Sequence, residues 1–287
     1  MGSVGVRTDK ASRTARLVFC IQTIEGTLMN RFERFTGYRG FSALLVALAF
    51  LAGCGSGDEI LGGRGGSGGG VGGGPGAVAS CAVGNLPLGT AATYAVLAGT
   101  ALTVTNPTSV TGDVGSPSIT PAGGPIPLTG TLHDAGTDPA PGVIQAAVGD
   151  MQTAIGCAGS RACTFNYGAA TDFGGMTLAP GVHCVAGGMS VGSNLTLSTP
   201  GVYVFRSSGT LTSAPTVTVA FAGAASAANT SVFWVPSGAS IGATNTFLGT
   251  IMVDPGAITL GAGTTLQPGR VLSSSAVTLD TNTIAIP

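Results

Sequence analysis

The sequence repeats itself with a period of nineteen residues over much of its C-terminal half. Three segments near the end align at that spacing, so equivalent residues form columns. One column is apolar and the next carries hydroxyl groups: Ile241, Leu260 and Leu279, then Ser240, Thr259 and Thr278. Further upstream, residues 176–185 align with residues 195–205 at the same spacing, with one residue inserted. Such a period restricts the fold to an array of stacked units.

Apolar and small polar residues alternate within each unit, as in Leu195-Thr196-Leu197. A strand with this alternation buries one side and exposes the other. Pro-Gly pairs, at 180–181 and 200–201 for example, separate the strands as corners. Short strands and corners within a nineteen-residue unit are typical of one turn of a parallel β-helix, whose turns stack about 4.8 Å apart.

One segment departs from the strand pattern. Residues 141–155 place apolar side chains at helical spacing, with Pro141 suited to the first turn and Gly156 to the C-terminal stop. We therefore expect one amphipathic helix that packs along the stacked turns. Its apolar stripe comprises Ile144, Ala147, Val148, Met151 and Ile155.

The charge distribution excludes several classes of function. Charged residues make up 8% of the chain, and after residue 81 there is no lysine and only Arg161, Arg206 and Arg270. This excludes the basic surface of a nucleic-acid-binding protein. Carboxylates do not collect in any repeat column, and His133 and His183 lie fifty residues apart. We therefore expect no enzyme activity, no catalytic residue, no cofactor and no metal site.

The first 54 residues have the features of an export signal. Three arginines between residues 31 and 39 precede the apolar run 41–50, which is too short to span a bilayer permanently. The following Leu-Ala-Gly-Cys resembles a bacterial lipobox, in which Cys54 becomes the lipidated first residue. Gly55 after this cysteine favours the outer membrane over the inner one, and we expect a lipid anchor at Cys54 to be the only membrane contact.

Residues 55–80 are half glycine and form a flexible linker of about 28 Å average span. The domain that follows, residues 81–287, contains four cysteines, which in an exported protein predict two disulfides with three possible pairings. Position favours Cys163 with Cys184 and Cys81 with Cys157. The chain thus divides into an export signal (1–54), a linker (55–80) and one repeat domain (81–287).

Several motifs along this domain resemble one known family. They are Leu88–Ala98, the turn at 110–115, Gly130-Thr131-Leu132-His133 before the helix, residues 178–184, and the closing run 276–283. They look like the microbial ice-binding proteins with a discontinuous β-solenoid, and their order matches over residues 86–286. The resemblance implies a right-handed β-helix of triangular section, with a long helix alongside and both ends of the chain in one stack. It also implies adsorption to ice, by a protein that we expect to be monomeric.

A flat, uncharged row of hydroxyl and methyl groups is the surface that this activity requires. Small residues fill one outward column until Asp280 interrupts it. The candidate face comprises Thr103, Thr105, Thr177, Thr196, Thr210, Thr212, Ser240, Gly242, Thr259, Gly261 and Thr278. A second column competes with it: Thr244, Thr246, Thr264 and Thr283. Alternation alone does not decide between them, and a surface adhesin or structural module on the same scaffold is the alternative function.

Overall fold

The computed structural model describes residue 81 and residues 84–121, 126–134 and 142–287. The proposed lipidation site Cys54, the export signal, the linker and Pro141 lie outside the described residues.

A 3-10 helix, Gly89–Thr93, precedes the first strand, and one α-helix, α1 (Val143–Ser160), follows the seventh. The strands before α1 are β1 (Tyr94–Ala98), β2 (Ala101–Val104), β3 (Ser109–Thr111), β4 (Asp113–Ser116), β5 (Ile119–Pro121), β6 (Leu128–Thr129) and β7 (Leu132–Asp134). After α1 come β8 (Phe165–Tyr167), β9 (Thr171–Asp172), β10 (Thr177–Leu178), β11 (Gly181–Val185), β12 (Met189–Val191), β13 (Leu195–Leu197), β14 (Gly201–Ser207) and β15 (Leu211–Ser213). The remaining strands are β16 (Val219–Phe221), β17 (Thr230–Val235), β18 (Ala239–Ile241), β19 (Thr246–Val253), β20 (Ile258–Leu260), β21 (Thr265–Ser273), β22 (Ala276–Leu279) and β23 (Thr283–Ala285).

These strands form a parallel solenoid of about nine turns with three sheets. Face A, beneath the helix, consists of β8, β11, β14, β17, the second halves of β19 and β21, and β1, β4 and β7. Face B consists of β9, β12, β15, β18, β20, β22, β2 and β5. Face C consists of β10, β13, β16, the first halves of β19 and β21, and β23, β3 and β6.

The order of turns in the stack differs from their order in the sequence. Strand β22, near the C-terminus, pairs in parallel with β2, near the start of the domain, so that Val277 lies opposite Leu102. The same junction joins β21 to β1 and β23 to β3. The discontinuous solenoid with a single helix that the resemblance implies is therefore confirmed.

Inward-pointing apolar side chains fill the solenoid, and a row of rings strengthens its first turns. Phe165, His183, Phe205 and Trp234 stack with successive centroid distances of 4.6, 4.7 and 4.2 Å. Rings at such distances add to the stabilisation from buried area. They are inward-facing residues of successive strands on face A, which gives these turns a rigid interior.

The helix packs on the outside of face A through a second apolar cluster. Its buried residues are Ile144, Ala147, Met151, Ala154, Cys157 and Ala158. The predicted stop at Gly156 is wrong, because the helix continues to Ser160. A glycine inside a helix costs about 1 kcal/mol relative to alanine, and the burial of Cys157 and Ala158 beyond it outweighs that cost.

Two disulfides fasten the helix region to the solenoid. Cys81 is bonded to Cys157 on α1, and Cys163, just after the helix, is bonded to Cys184 on β11. This is the pairing that position in the sequence favours. The first bond closes a loop of 76 residues and the second a loop of 21, and both restrict the unfolded chain.

Candidate functional site

Face B carries an unbroken central column of small polar side chains. In most strands the residues on either side of it, such as Ile258 and Leu260, are buried, so the column points outward. Its eight residues are paired in register and span about 34 Å at the usual strand spacing. In order through the stack they are Asp172, Ser190, Thr212, Ser240, Thr259, Thr278, Thr103 and Thr120.

Small residues flank this column on both sides. Along one side lie Gly192, Ala214, Gly242 and Gly261, and along the other Thr210, Gly238, Ala257, Ala276 and Ala101. Two of the glycines are required by close packing between turns. A Cβ atom at Gly242 would lie 2.6 Å from the carbonyl oxygen of Ala214, and one at Gly261 would lie 2.6 Å from the amide nitrogen of Ala243. The flank therefore stays low and even beside the hydroxyl groups.

The structure brings nine of the eleven residues of the predicted face together on face B. They are Thr103, Thr105, Thr210, Thr212, Ser240, Gly242, Thr259, Gly261 and Thr278. The prediction of a single face is wrong for Thr177 and Thr196, which pair with each other on face C. Alternation identifies an outward side chain, but each turn has three strands, and it does not say which of them a residue occupies.

The competing column does not form a column. Thr246 and Thr283 lie on face C, each opposite Thr265 in register. Thr264 is fully buried, and its hydroxyl donates to the carbonyl oxygen of Gly242 at 2.7 Å. Thr244 occupies a turn with φ of +56°. Only two of the four predicted residues therefore share a surface.

Thr264 belongs instead to a buried polar row at the corner between faces B and C. Asn245, Thr264, Asn282 and Thr108 occupy equivalent positions in successive turns, and each is at most 1% exposed. Asn245 accepts from the amide of Val217 at 2.6 Å and donates to Ser213 Oγ at 2.6 Å. Such fully satisfied buried hydrogen bonds fix geometry. The strand alternation does not reveal this row, although asparagine recurs in it at 245 and 282.

Serine side chains fix the opposite corner, between faces A and B. Ser273 Oγ donates to the carbonyl oxygen of Gly256 at 2.8 Å, and Ser207 Oγ donates to that of Gly209 at 2.7 Å. Ser116 Oγ donates to the carbonyl oxygen of Ser118 at 2.9 Å. Face B is therefore bounded by hydrogen-bonded corners on both edges, which keep its strands aligned.

Two carboxylates lie on face B, and both are held by hydrogen bonds. Asp172, at the end of the central column, accepts from the amides of Gly174 and Gly192, and these bonds lower its pKa. Asp280, on the flank beyond Gly261, accepts from Asn106 Nδ2 at 2.7 Å, and this bond lowers the pKa of Asp280. The other outward positions of the described face carry no charge.

Face C is less regular than face B. Its stack is joined between β16 and β19 by the single bridge Thr218 to Thr246. The pairing of β19 with β21 shifts register between Phe247 and Gly249. Leu248, at the shift, is buried. Face C thus carries threonines without the continuous pairing of face B.

The interior histidine is a structural residue. His183 Nε2 donates to the carbonyl oxygen of Ala179 at 3.0 Å, and the hydroxyl of Tyr167 donates to Nδ1 at 3.2 Å. Burial lowers the pKa of His183, so the neutral ring is favoured. Within the described part of the chain, no three histidine, cysteine, aspartate or glutamate side chains group as a metal site. No helix in that part combines the length and hydropathy needed to cross a membrane.

Comparison with known proteins gives one consistent family. The profile of the ice-binding-like family matches residues 96–285. The chain is 35% identical over 214 residues to an ice-binding protein of Flavobacterium frigoris, which covers 70% of this chain and 76% of that protein. It is 33% identical over 214 residues to an ice-binding protein of a Colwellia species, covering 70% and 83% respectively.

A solved structure agrees with these relatives. The crystal structure of an ice-binding protein from an Antarctic biological consortium superposes with a TM-score of 0.63 at 34% identity. It covers 72% of this chain and 93% of that one. The similarity therefore extends over the solenoid and the helix.

Proposed function

Because the chain belongs to the ice-binding-like family, we propose that it adsorbs to ice through face B. The observation that carries the choice of face is the column of eight paired residues, seven of them with a hydroxyl group, bounded by fixed corners. Its relatives in the family are described as ice-binding proteins, which supports the activity.

The geometry suits a surface that offers no pocket and no charge. Ice presents a periodic array of water oxygens, so a binder must make many weak contacts at a matching repeat. Turns about 4.8 Å apart provide that repeat. Threonine side chains are restricted at χ1, which holds each methyl and hydroxyl group in a fixed orientation. Rigidity before binding reduces the entropy lost on adsorption.

A matched pair of variants tests the proposal. Thr259→Tyr places a bulky ring in the middle of face B, and Thr283→Tyr places the same ring on an exposed strand position of face C. In an ice-recrystallisation assay on the purified protein, we expect Thr259→Tyr to reduce activity about tenfold. Thr283→Tyr should stay close to the wild type. Circular dichroism and thermal unfolding confirm that both variants fold.

Two outcomes contradict the proposal in different ways. If both variants retain activity, the protein binds ice through another surface. If the wild-type protein leaves recrystallisation unchanged, the scaffold serves a different purpose, such as adhesion to polysaccharide or to another cell.

We also propose that the protein is an exported monomer anchored through Cys54 to the outer membrane. The lipobox-like Leu-Ala-Gly-Cys and the glycine-rich linker support this, because a tethered domain can reorient towards ice. Metabolic labelling with a palmitate analogue should mark the wild type and not Cys54→Ala, and fractionation should place the label in the outer membrane. Unlabelled wild-type protein would contradict the anchor. Light scattering of the unlipidated protein should give a monomer mass.

A further inference from the structure

The domain after residue 81 has three arginines, and two of them have evident structural roles. Arg206 donates to carbonyl oxygens at the end of α1 and to both sulfurs of the Cys163–Cys184 disulfide. A cation is favourable at a helix C-terminus. Arg161 donates through Nε to the carbonyl oxygen of Cys81 at 2.7 Å and so holds the start of the domain.

Arg270 differs from these two. Its Nε and Nη2 atoms donate to one acceptor, the carbonyl oxygen of Ala92, at 3.1 and 2.9 Å. In the part of the chain that the structure describes, no carboxylate pairs with it. Burial lowers the pKa of Arg270, although guanidinium groups stay charged at any physiological pH. A half-buried charge with one carbonyl partner leaves donor capacity unused.

Arg270 lines a pocket of about 300 Å³ at the corner between faces A and C. Arg270 and Thr250 are paired neighbours on β21 and β19, and Thr250 lies opposite Phe233 on β17. Phe221 and Pro268 supply further apolar wall, and Ser231 adds a second hydroxyl group. Thr230 adds a third hydroxyl group, and Asn85 and the C-terminal residue Pro287 also line the pocket, which thus combines one cation and several neutral polar groups with mostly apolar walls.

We propose that this pocket binds a small monoanion with an apolar tail, of the short-chain carboxylate class. The carboxylate would accept hydrogen bonds from the guanidinium of Arg270, in a charge-assisted pairing that arginine favours. The tail would contact Phe221, Phe233 and Pro268. A doubly charged ligand such as a phosphate ester fits less well, because one cation would leave a charge unneutralised against apolar walls. The volume lies at the small end of ligand pockets.

Sodium hexanoate and 1-hexanol, which share the same six-carbon chain, test the proposal on the full-length protein. We expect hexanoate to shift the backbone amide signals of Ser231, Thr250 and Arg270 saturably in a nitrogen-15 NMR titration. Hexanol should bind at least about tenfold more weakly, since it lacks the charge. Absence of saturable shifts with hexanoate, or equal binding of the two, would overturn the proposal.

Three arginine variants test the role of the charge. Arg270→Gln should weaken hexanoate binding at least about tenfold, and Arg270→Lys, which keeps the charge without the guanidinium geometry, should weaken it less. Arg206→Gln removes the same charge outside the pocket and should leave binding unchanged. Wild-type affinity in Arg270→Gln would show that the guanidinium only holds Ala92.

A further variant leaves Arg270 in place, in case Arg270→Gln does not fold. Ala227 is exposed and lines the pocket, and Ala227→Trp should fill the pocket mouth and abolish binding. Unchanged hexanoate affinity in this variant would place the binding elsewhere. Ice activity should be unaffected throughout, because face B carries none of these residues.

Discussion

Faces B and C are built from the same turns and both present threonines, yet only face B is continuous. On face B, β9, β12, β15, β18, β20, β22, β2 and β5 pair one after another. On face C, the column passes through a single bridge between β16 and β19, and the strand pairing shifts at Phe247. Threonine content therefore does not define a flat surface, and unbroken pairing between turns does.

The difference arises in the loops between strands. Residues 222–229, between β16 and β17, are inserted where the chain leaves face C. The corner between faces B and C instead contains the buried row of Asn245, Thr264, Asn282 and Thr108. The insertion interrupts the repeat at the corner between faces C and A. The hydrogen bonds of the polar row instead keep the strands beside it in register.

The largest expected effect on ice activity comes from substitutions across the chain junction. Thr103 and Thr278 are paired although they come from opposite ends of the domain. Thr103→Tyr should therefore lower activity about tenfold, as much as a substitution elsewhere in the column. Thr111→Tyr, on exposed β3 of face C, is the control and should keep wild-type activity in the recrystallisation assay. Equal losses would mean that face C also contacts ice.

A smaller effect is expected from the corner that separates the two faces. Asn245→Ala leaves the amide of Val217 without its acceptor and removes one of the two hydrogen bonds that Ser213 Oγ accepts, which should cost about 1–3 kcal/mol of unfolding free energy. Denaturant unfolding measures this, and activity should fall in parallel as face B loosens. Asn166→Ala, at an exposed position of β8, should change stability by less than about 0.5 kcal/mol. Full activity in a destabilised Asn245→Ala protein would show that ice binding by face B does not depend on the hydrogen bonds at this corner.

Removing a carboxylate from face B should increase ice activity by a small amount, whereas the preceding substitutions lower it. Asp280→Ser takes away a charge whose water shell resists ordering, so activity should rise by about twofold or less. Asp254→Ser, in the turn after β19 where Asp254 accepts from Gln152 of α1, should leave activity unchanged in the same assay. A fall in activity on Asp280→Ser would indicate that Asp280 itself orders water.

The smallest effect on ice activity is expected at His183, which should alter stability alone. Burial lowers its pKa below the ordinary 6.5, so the unfolded chain binds a proton that the folded chain does not. Stability is then independent of this group above pH 6.5. Below that pH it should fall by up to about 1.4 kcal/mol per pH unit, until the folded-state pKa is reached.

His183→Phe is the variant that isolates this effect. It keeps a ring between Phe165 and Phe205 and removes the titrating group. Thermal unfolding from pH 7 to pH 5 should show a shallower decline than in the wild type. Identical slopes in the two proteins would contradict the assignment, and neutral-pH ice activity should be the same in both.

Much of the fold follows from the repeat period, since Ser240, Thr259 and Thr278 do align at nineteen-residue steps in one sheet. Upstream the period holds on face C, where Thr177 and Leu178 lie opposite Thr196 and Leu197, but it fails after the next corner. The strand pairing places Gly181 opposite Tyr203, whereas alignment of the Pro-Gly corners would place it opposite Gly201. The number of residues in a corner varies between turns, but inward and outward side chains still alternate within each strand. The sequence therefore predicts which side chains are buried better than it predicts which of the three faces a strand belongs to.

Two parts of the candidate site lay beyond sequence reasoning for a physical reason. Thr264 has the same alternation as an outward residue, but its burial depends on a hydrogen bond to Gly242 in the previous turn. Ser190 and Thr120 join the central column by pairing with Thr212 and Thr103, which are 22 and 17 residues away, so neither lies at the nineteen-residue step. Contacts between turns decide whether a residue is buried and whether it joins the column. The alternation within one strand does not contain that information.

The central claim is that face B adsorbs to ice as one rigid surface, and partition into slowly grown ice measures adsorption directly. We predict that the wild-type protein is enriched in the ice fraction over the remaining liquid. A Thr212→Tyr/Thr278→Tyr protein should stay in the liquid, and a Thr111→Tyr/Thr283→Tyr protein should enter the ice like the wild type. Exclusion of the wild type, or equal partition of all three proteins, would contradict the account.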